Sequence, residues 1–316
     1  MNTADAFQQR VRAVCSRSMP LPGAGSTPLR HAMLCEIGEE DLSLAKIAEA
    51  HFDAVAILAE AGEQPAPSAV YAVWASELPG KELRLHRNGE MSTVRGTKPF
   101  CSGGSLVDRA LVTVGHPEPL LVEIDLRRAA QQVTSDLALW HADAFRLTQT
   151  GAILFSDTPV ERVVGSAGFY LNRPGFWNGA CGPAACWAGG TAGLLHFAQQ
   201  SKRHDPHTIA HRAAIESSDW AMRALLAETG RDIDTTPNNI AAAHVRALRL
   251  RHLVEQLATD TLVRFARAYG PHPLAMDAAM SRRYAELGIF LRQCHAERDL
   301  EALGHALLTQ EAPKSS

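Results

Sequence analysis

The segment RGTKPFCSGGSLVDRALVTV, from Arg95 to Val114, is the most informative part of this sequence. It begins with turn-forming residues, passes the pair Gly103 and Gly104, and ends in a run rich in β-branched residues. This order predicts a strand, a tight loop and a second strand. The loop places an aromatic ring, that of Phe100, beside two small polar side chains and bare glycine backbone. Such a loop is suited to contacting the edge of a flat ring system.

The sequence changes character twice around this segment. Residues 1–65 contain LSLAKIAEAHFDAVAILAEAG, in which the apolar residues recur at helical spacing. Residues 66–168 contain short β-branched stretches such as AVYAVWAS and PLLVEIDL, separated by Gly, Pro or Asp, which predict an antiparallel sandwich or barrel. Residues 169–316 are long, Ala- and Leu-rich helical stretches. We therefore expect an α+β multidomain chain: a short N-terminal helical domain, a middle β-domain and a C-terminal helical bundle.

Composition limits the classes of function. With 31 Lys and Arg against 34 Asp and Glu, the net charge of −3 gives no electrostatic reason to expect a nucleic acid partner. No apolar run approaches the roughly 20 residues that span a bilayer, and the N-terminus lacks the apolar core of a signal peptide. A cytoplasmic protein without a membrane partner is expected. The 6 cysteines form no C-x-x-C pair and are expected to be reduced.

The loop segment also resembles a known family. In acyl-CoA dehydrogenases, a Gly-x-Lys-x-aromatic-x-Ser/Thr-x-Gly segment of the middle β-domain lies beside the flavin. Gly96, Lys98, Phe100, Ser102 and Gly104 match this pattern position by position. Together with the order of helices, β-domain and helices, the match identifies the chain as resembling a shortened, divergent member of the acyl-CoA dehydrogenase superfamily.

The resemblance implies FAD as the cofactor and five residues at its ring: Trp74, Ser76, Phe100, Cys101 and Ser102. The segment with Trp74 and Ser76 resembles the strand end whose hydroxyl and backbone meet the flavin pyrimidine edge. Each residue has another interpretation. Phe100 and Trp74 could be core residues, the two serines could bond to local backbone, and Cys101 could be a small buried hydrophobe or a nucleophile.

The catalytic base departs from the family. Dehydrogenation at Cα–Cβ needs a carboxylate to remove a proton, and the two family positions for this glutamate correspond to Leu291 and Pro183. His295, about one helical turn beyond Leu291, could act instead, because an imidazole is a competent base near neutral pH. Flavin monooxygenases of this fold use a histidine in this region. Alternatively His295 caps or packs at a helix end, and Glu297 is another candidate base.

Three functions remain open at this point. The first is FAD-dependent oxidation of an acyl thioester, carried on CoA or a carrier protein, with an electron-transfer partner. The second is a monooxygenase-like reaction with His295 as base. The third is a protein without FAD that acts in binding or as a scaffold, because residues 201–214 lack the family's pyrophosphate-binding pattern. A homodimer or homotetramer is implied by the resemblance alone.

His207 and His211 share one helix face at i, i+4 spacing, which also occurs in metal sites. The glutamate of an H-E-x-x-H motif is absent, and no third ligand is indicated. Asp205 and Pro206 instead have the pattern of a helix start. We predict no metal site.

Overall fold

A computed structural model describes residues 3–77, 83–89, 91–115 and 118–311. The strands are β1 (Tyr71–Trp74), β2 (Arg84–Asn88), β3 (Met91–Cys101), β4 (Arg109–Val114), β5 (Leu120–Asp125), β6 (Val133–Asp136), β7 (Gly151–Pro159) and β8 (Arg162–Val164). The helices are α1 (Thr3–Cys15), α2 (Thr27–Glu40), α3 (Leu42–Glu60), α4 (Phe169–Asn172), α5 (Gly175–Gly179), α6 (Gly182–Gln200), α7 (Pro206–Thr235), α8 (Ile240–Tyr269), α9 (His272–Ala275), α10 (Ala278–Phe290) and α11 (Glu297–Glu311). Short 3₁₀ turns lie at Arg146–Thr148 and Leu291–Gln293.

The strands form two four-stranded sheets, in the orders β1-β4-β5-β8 and β2-β3-β7-β6. All strand pairs described are antiparallel except β1 with β4, which run parallel with Tyr71 opposite Arg109. The predicted strand–loop–strand over Arg95–Val114 is confirmed as β3, a turn and β4. The predicted central antiparallel sandwich is also confirmed, with this one parallel pair added.

The two sheets pack face to face through buried side chains. The Trp74 ring on β1 lies 6.4 Å from the Phe155 ring on β7, measured between centroids. The outer face of the first sheet is covered by α3, because Ala54, Ile57 and Leu58 pack against its strands as part of one buried cluster. Burial of this apolar surface is the main force that holds the sandwich together.

The chain folds into two compact units. One contains residues 1–18 and 46–176, and the other contains residues 19–45 and 177–316. The sequence prediction treats residues 1–65 as one helical domain, whereas these units divide that segment: α1 and most of α3 go with the sheets, and α2 goes with the C-terminal helices. A segment this short cannot bury its apolar faces alone, so each helix joins a larger core.

In the helical unit, α2 packs closely on α6. A Cβ added to Gly189 would lie 2.1 Å from the Cys35 carbonyl oxygen, and one added to Gly38 would lie 2.5 Å from the Cys186 carbonyl oxygen. Only glycine therefore permits this approach of the two backbones. None of the helices in the described ranges combines the length and the apolar character needed to cross a membrane.

Candidate functional site

Phe100 is an exposed aromatic residue in a strained conformation at the end of β3. Its φ is +53°, and 57% of its surface is exposed. The register of β3 against β7 shifts between Lys98 and Cys101, which is where the strand turns Phe100 outward. The alternative of an ordinary sandwich-core residue is therefore wrong. Left-handed backbone at a non-glycine residue costs about 1–3 kcal/mol, and such strain concentrates at functional sites.

Trp74 and Ser102 are joined directly. The Trp74 indole N–H donates to the Ser102 carbonyl oxygen at 3.0 Å, and the ring is buried against the second sheet. Trp74 is thus a core residue whose polar atom fixes the backbone of the loop. Ser76 lies in the segment after β1 and is exposed.

Cys101 follows Phe100 but faces the other way. Its side chain is fully buried, and the thiol donates to the Lys98 carbonyl oxygen at 3.3 Å. Burial raises the pKa of this thiol to about 12. The prediction that Cys101 contacts a cofactor is therefore corrected for its side chain, which does not reach the surface. The alternative of a small buried hydrophobe describes it better than a nucleophile.

The Ser102 hydroxyl belongs to a group of three hydroxyls that the sequence prediction missed. Its oxygen lies 2.8 Å from the Thr150 hydroxyl, which lies 2.7 Å from the Thr148 hydroxyl. Both threonines are buried, while Ser102 is half-buried at the surface end. The two threonines are separated by one residue in the sequence Thr-Gln-Thr just before β7. This spacing is the only feature of the sequence that points to the group of three hydroxyls.

Lys98 holds the two sheets together behind the loop. Its fully buried ammonium donates to the Thr113 carbonyl at 2.9 Å and to the Thr113 hydroxyl at 2.8 Å, and lies 3.5 Å from a Glu77 carboxylate oxygen. Burial lowers the pKa of Lys98, and the Glu77 carboxylate opposes that effect. Because Glu77 follows Ser76, this one lysine positions both segments that the resemblance assigned to the cofactor.

Comparison with solved structures shows which known proteins this chain is similar to. The chain is similar to the dibenzothiophene monooxygenase TdsC from Paenibacillus sp. A11-2, solved with FMN and indole, at 17% identity over 99% of this chain and 96% of that chain, with a TM-score of 0.77. It is similar to the methanesulfinate monooxygenase MsuC from Pseudomonas fluorescens at 15% identity over 100% and 99%, with a TM-score of 0.75.

Butyryl-CoA dehydrogenase from Megasphaera elsdenii is also similar, at 16% identity over 96% of this chain and 89% of that chain, with a TM-score of 0.74. The chain has the acyl-CoA dehydrogenase fold. The resemblance stated for Gly96, Lys98, Phe100, Ser102 and Gly104 is thereby confirmed at the level of the fold. No protein-family model and no curated protein sequence matches the chain.

Within this acyl-CoA dehydrogenase fold, His295 lies in the helical unit, just before α11. Its Nδ1 lies 3.2 Å from one Asp299 oxygen, and its backbone N–H donates to the other at 3.0 Å. The side chain is 57% exposed. The next residue, Ala296, has a φ of +49°. His295 lies at a helix start, as the alternative of a capping residue predicts. Its imidazole is also paired with a carboxylate.

The two positions expected for a family glutamate hold no base. Leu291 is fully buried in the 3₁₀ turn after α10. Pro183 is in the first turn of α6. The acyl-CoA dehydrogenase fold is therefore present here without a carboxylate at either place.

The start of α7 is closed to a phosphate by its own cap. The Asp205 carboxylate accepts the Thr208 backbone N–H at 3.0 Å and the Thr208 hydroxyl at 2.8 Å. Arg203 lies 3.7 Å from the same carboxylate. A helix N-terminus attracts anions, but here a fixed carboxylate already occupies it. This is the region where the family's pyrophosphate-binding pattern is missing.

The helical unit also contains a cavity of about 520 Å³ between α2, α6 and α10. Its lining includes four acidic residues, Glu36, Glu39, Glu40 and Asp277, and two basic ones, His196 and Arg283. Asp277 caps α10 by accepting two backbone N–H groups. A cavity with this excess of negative charge disfavours an anionic cofactor.

The rings of His207 and His211 lie 4.5 Å apart between centroids, edge to face. His207 Nε2 lies 3.3 Å from the Arg267 carbonyl oxygen. Across the described residues, no group of three or more His, Cys, Asp or Glu side chains is arranged to hold a metal ion.

Proposed function

We propose that this protein is a flavin-dependent monooxygenase with the acyl-CoA dehydrogenase fold. The observation that carries this proposal is the His295–Asp299 pair, in a chain with Leu291 and Pro183 at the positions that the resemblance assigns to the family's glutamate. Acyl dehydrogenation requires a carboxylate base, whereas an imidazole can deliver or accept a proton at neutral pH. Two of the similar structures, TdsC and MsuC, are monooxygenases.

Ser102, Ser76 and Phe100 are the residues proposed to meet the flavin. Phe100 presents an exposed ring from strained backbone, and Ser102 offers a half-buried hydroxyl beside it. Trp74 and Lys98 hold the backbone of both segments in place. Bound there in reduced form, a flavin would supply the two electrons that, together with two protons, reduce O₂ so that one oxygen atom enters the substrate and the other leaves as water.

FMN is the proposed cofactor in place of the FAD expected from the resemblance. The Thr208 backbone N–H at the start of α7 is already bonded to the Asp205 carboxylate, and residues 201–214 lack the pyrophosphate-binding pattern. TdsC, one of the similar structures, was solved with FMN. FMN carries one phosphate instead of the two of a dinucleotide, so it does not need this region.

His295 is proposed to transfer the proton. Asp299 lies at hydrogen-bond distance from Nδ1, so it fixes the tautomer with the proton on Nδ1 and leaves Nε2 as the atom that accepts a proton. The electrons that reduce the flavin are proposed to come from an electron-transfer partner, as the resemblance implies. A homodimer or homotetramer is proposed from the fold resemblance alone.

The test begins with the absorption spectrum of the purified protein after incubation with excess FMN or FAD and gel filtration. We expect retained flavin bands with FMN and weaker retention with FAD. A protein that stays colourless with both would refute the proposal and favour the binding or scaffold alternative. Retained FAD that is bleached anaerobically by an acyl-CoA would favour dehydrogenation.

Variants at the histidine pair then test the proton transfer. We expect His295→Asn to keep flavin and lose substrate oxygenation, and Asp299→Asn to lower the rate by about 10- to 100-fold, as loss of an orienting partner does. Glu301→Gln is the matched control, because it removes an exposed charge of the same helix that lies outside the pair. Normal oxygenation by His295→Asn would exclude His295 as the proton donor or acceptor.

A further inference from the structure

The Ser102 hydroxyl is the surface end of a chain of three hydroxyl groups that ends at a backbone carbonyl. The Thr148 hydroxyl donates to the Phe145 carbonyl oxygen at 2.7 Å. The Thr150 hydroxyl lies 2.7 Å from that of Thr148 and 2.8 Å from that of Ser102. We call these three hydroxyls and the carbonyl the hydroxyl chain.

Each hydroxyl has a single proton, so the carbonyl fixes the direction of every bond in the chain. A carbonyl oxygen can only accept, and therefore the Thr148 proton goes to Phe145. The bond between the threonines must then be donated by Thr150. With the Thr150 proton used, the bond to Ser102 must be donated by Ser102.

The backbone around the hydroxyl chain is held at both ends. The Gly103 backbone N–H donates to the Thr148 carbonyl at 2.7 Å, and the Trp74 indole N–H donates to the Ser102 carbonyl at 3.0 Å. Gly103 has a φ of +85°, and a Cβ there would lie 2.9 Å from a Val107 methyl group. The Ser102 oxygen is thus fixed in place, with its proton directed inward.

We propose that Thr148 and Thr150 are positioning residues that fix the Ser102 hydroxyl as a hydrogen-bond acceptor, so that Ser102 would accept from N5–H of the reduced flavin and not from N3–H, which both oxidation states carry. This inference rests on the proposed function. It changes what Ser102 can do there: the carbonyl oxygens of the isoalloxazine ring and the unprotonated N5 of its oxidised form are all acceptors, and an acceptor cannot bond to them.

The inward direction of the Ser102 proton favours the reduced flavin. Reduction by two electrons adds an N–H group at N5, where the oxidised ring has only a lone pair. Ser102 would therefore gain a hydrogen bond from N5–H when the flavin is reduced. When the flavin is oxidised, a lone pair of the Ser102 oxygen would face the lone pair of N5. The ratio of the affinity for reduced FMN to the affinity for oxidised FMN should therefore be higher than it would be with a serine whose hydroxyl rotates freely.

The test is the midpoint potential of bound FMN, measured by dye equilibration in wild type and variants. Thr150→Val removes the acceptor for the Ser102 proton, so Ser102 becomes free to donate to the oxidised ring. We expect the ratio of reduced to oxidised affinity to fall about tenfold, which is about 30 mV for a two-electron couple. Ser102→Ala should lower the potential as well. Thr150→Ser keeps the hydroxyl chain and should restore the wild-type potential.

Thr158→Val is the matched control. Thr158 is a buried threonine of β7 whose hydroxyl donates to the Gln132 carbonyl at 2.9 Å, outside the hydroxyl chain. Its potential should equal that of wild type. Should Thr150→Val fail to fold, Thr148→Val tests the same chain one step further in, and a smaller decrease is expected because the Thr150–Ser102 pair can then be donated from either side.

The outcomes separate the two proposals. A wild-type protein that binds no flavin refutes the proposed function, and this inference with it. Flavin bound with the same potential in wild type, Thr150→Val and Thr148→Val refutes this inference alone. An equal decrease in Thr150→Val, Thr150→Ser and Thr158→Val would also refute it, because a general loosening of β7 would then explain the change.

Discussion

Two groups of polar side chains in the sheet-containing unit differ in how their hydrogen bonds are used. In one group the central carboxylate is bonded on both oxygens within the protein, and in the other the terminal hydroxyl, which we call the open end, keeps unused acceptor capacity. Glu123 on β5 is fully buried and accepts hydrogen bonds from the Tyr71 hydroxyl at 2.8 Å, from Arg109 at 2.8 Å and from Arg162 at 2.6 Å. In the hydroxyl chain, by contrast, neither threonine hydroxyl donates to the Ser102 oxygen, so its lone pairs are not used within that group.

The difference separates structural from functional polar groups. Buried polar atoms are ordinarily satisfied within the protein, so a complete cluster such as that around Glu123 is explained by folding alone. An ordered hydroxyl at the surface, with a fixed direction and an unused acceptor, is instead available to bind water or a ligand. The comparison predicts that variants in complete clusters change stability, and that variants at the open end change binding.

The largest expected effect is at Glu123. Glu123→Gln removes the charge that two guanidinium groups share, while the side-chain volume is kept. Breaking a buried ion pair on one side typically costs about 3–5 kcal/mol, and we expect a loss of that size in the free energy of unfolding, measured by urea denaturation. Glu161→Gln is the control, because its partner Arg128 has a side chain that is 75% exposed, and about 0–1 kcal/mol is expected there. Equal losses would remove the distinction between the two pairs.

The second effect is a pH dependence at His51. Its Nδ1 accepts the Tyr71 backbone N–H at 3.1 Å, and this contact requires the neutral ring because a protonated Nδ1 cannot accept. Its Nε2 donates to the Cys15 carbonyl oxygen at 3.0 Å. Burial lowers the pKa of His51 from 6.5 to about 4, although the bond to Cys15 opposes this.

Because the folded pKa of His51 lies below the unfolded value, its contribution to stability is complete above pH 6.5 and is lost as the pH falls toward 4. The interval corresponds to about 3 kcal/mol. Urea denaturation between pH 7 and pH 4.5 measures it. His51→Gln should show a flatter dependence than wild type, and the difference isolates His51 from other buried histidines. Parallel curves would contradict the assignment.

The smallest effect concerns the open end and has the opposite sign. Phe100→Gly relieves the positive φ of an exposed residue, so we expect the free energy of unfolding to rise by up to about 1 kcal/mol. FMN affinity should fall, because the exposed ring is lost. Met91→Gly in the same strand is the control: Met91 is 71% exposed without a positive φ, and glycine there should destabilise by about 0.5–1 kcal/mol. Unchanged FMN affinity in Phe100→Gly would exclude Phe100 from the site.

The sequence allowed the sandwich, the bundle and the Phe100–Ser102 segment to be predicted, because strand and helix periodicity and the glycine pair are local signals. Thr148 and Thr150 could not be predicted, since their partner Ser102 is distant along the chain and only the pairing of β3 with β7 brings them together. The burial of the Cys101 side chain could not be predicted for a related reason. A bulge between Lys98 and Cys101 decides which residue there faces outward, and no residue type in the sequence indicates the bulge. The roles of Ser76, Ser102 and His295 stay predictions.

The close packing of α2 on α6 has a consequence in time. Residues 27–40 leave the ribosome before their partner at residues 182–200 has been made. At roughly 5–20 residues per second, this interval is on the order of ten seconds. The α2 side chains that end up buried, among them Leu34 and Ile37, have no α6 surface to cover them during that interval. A nascent chain that stalls between these two helices should therefore be bound by chaperones.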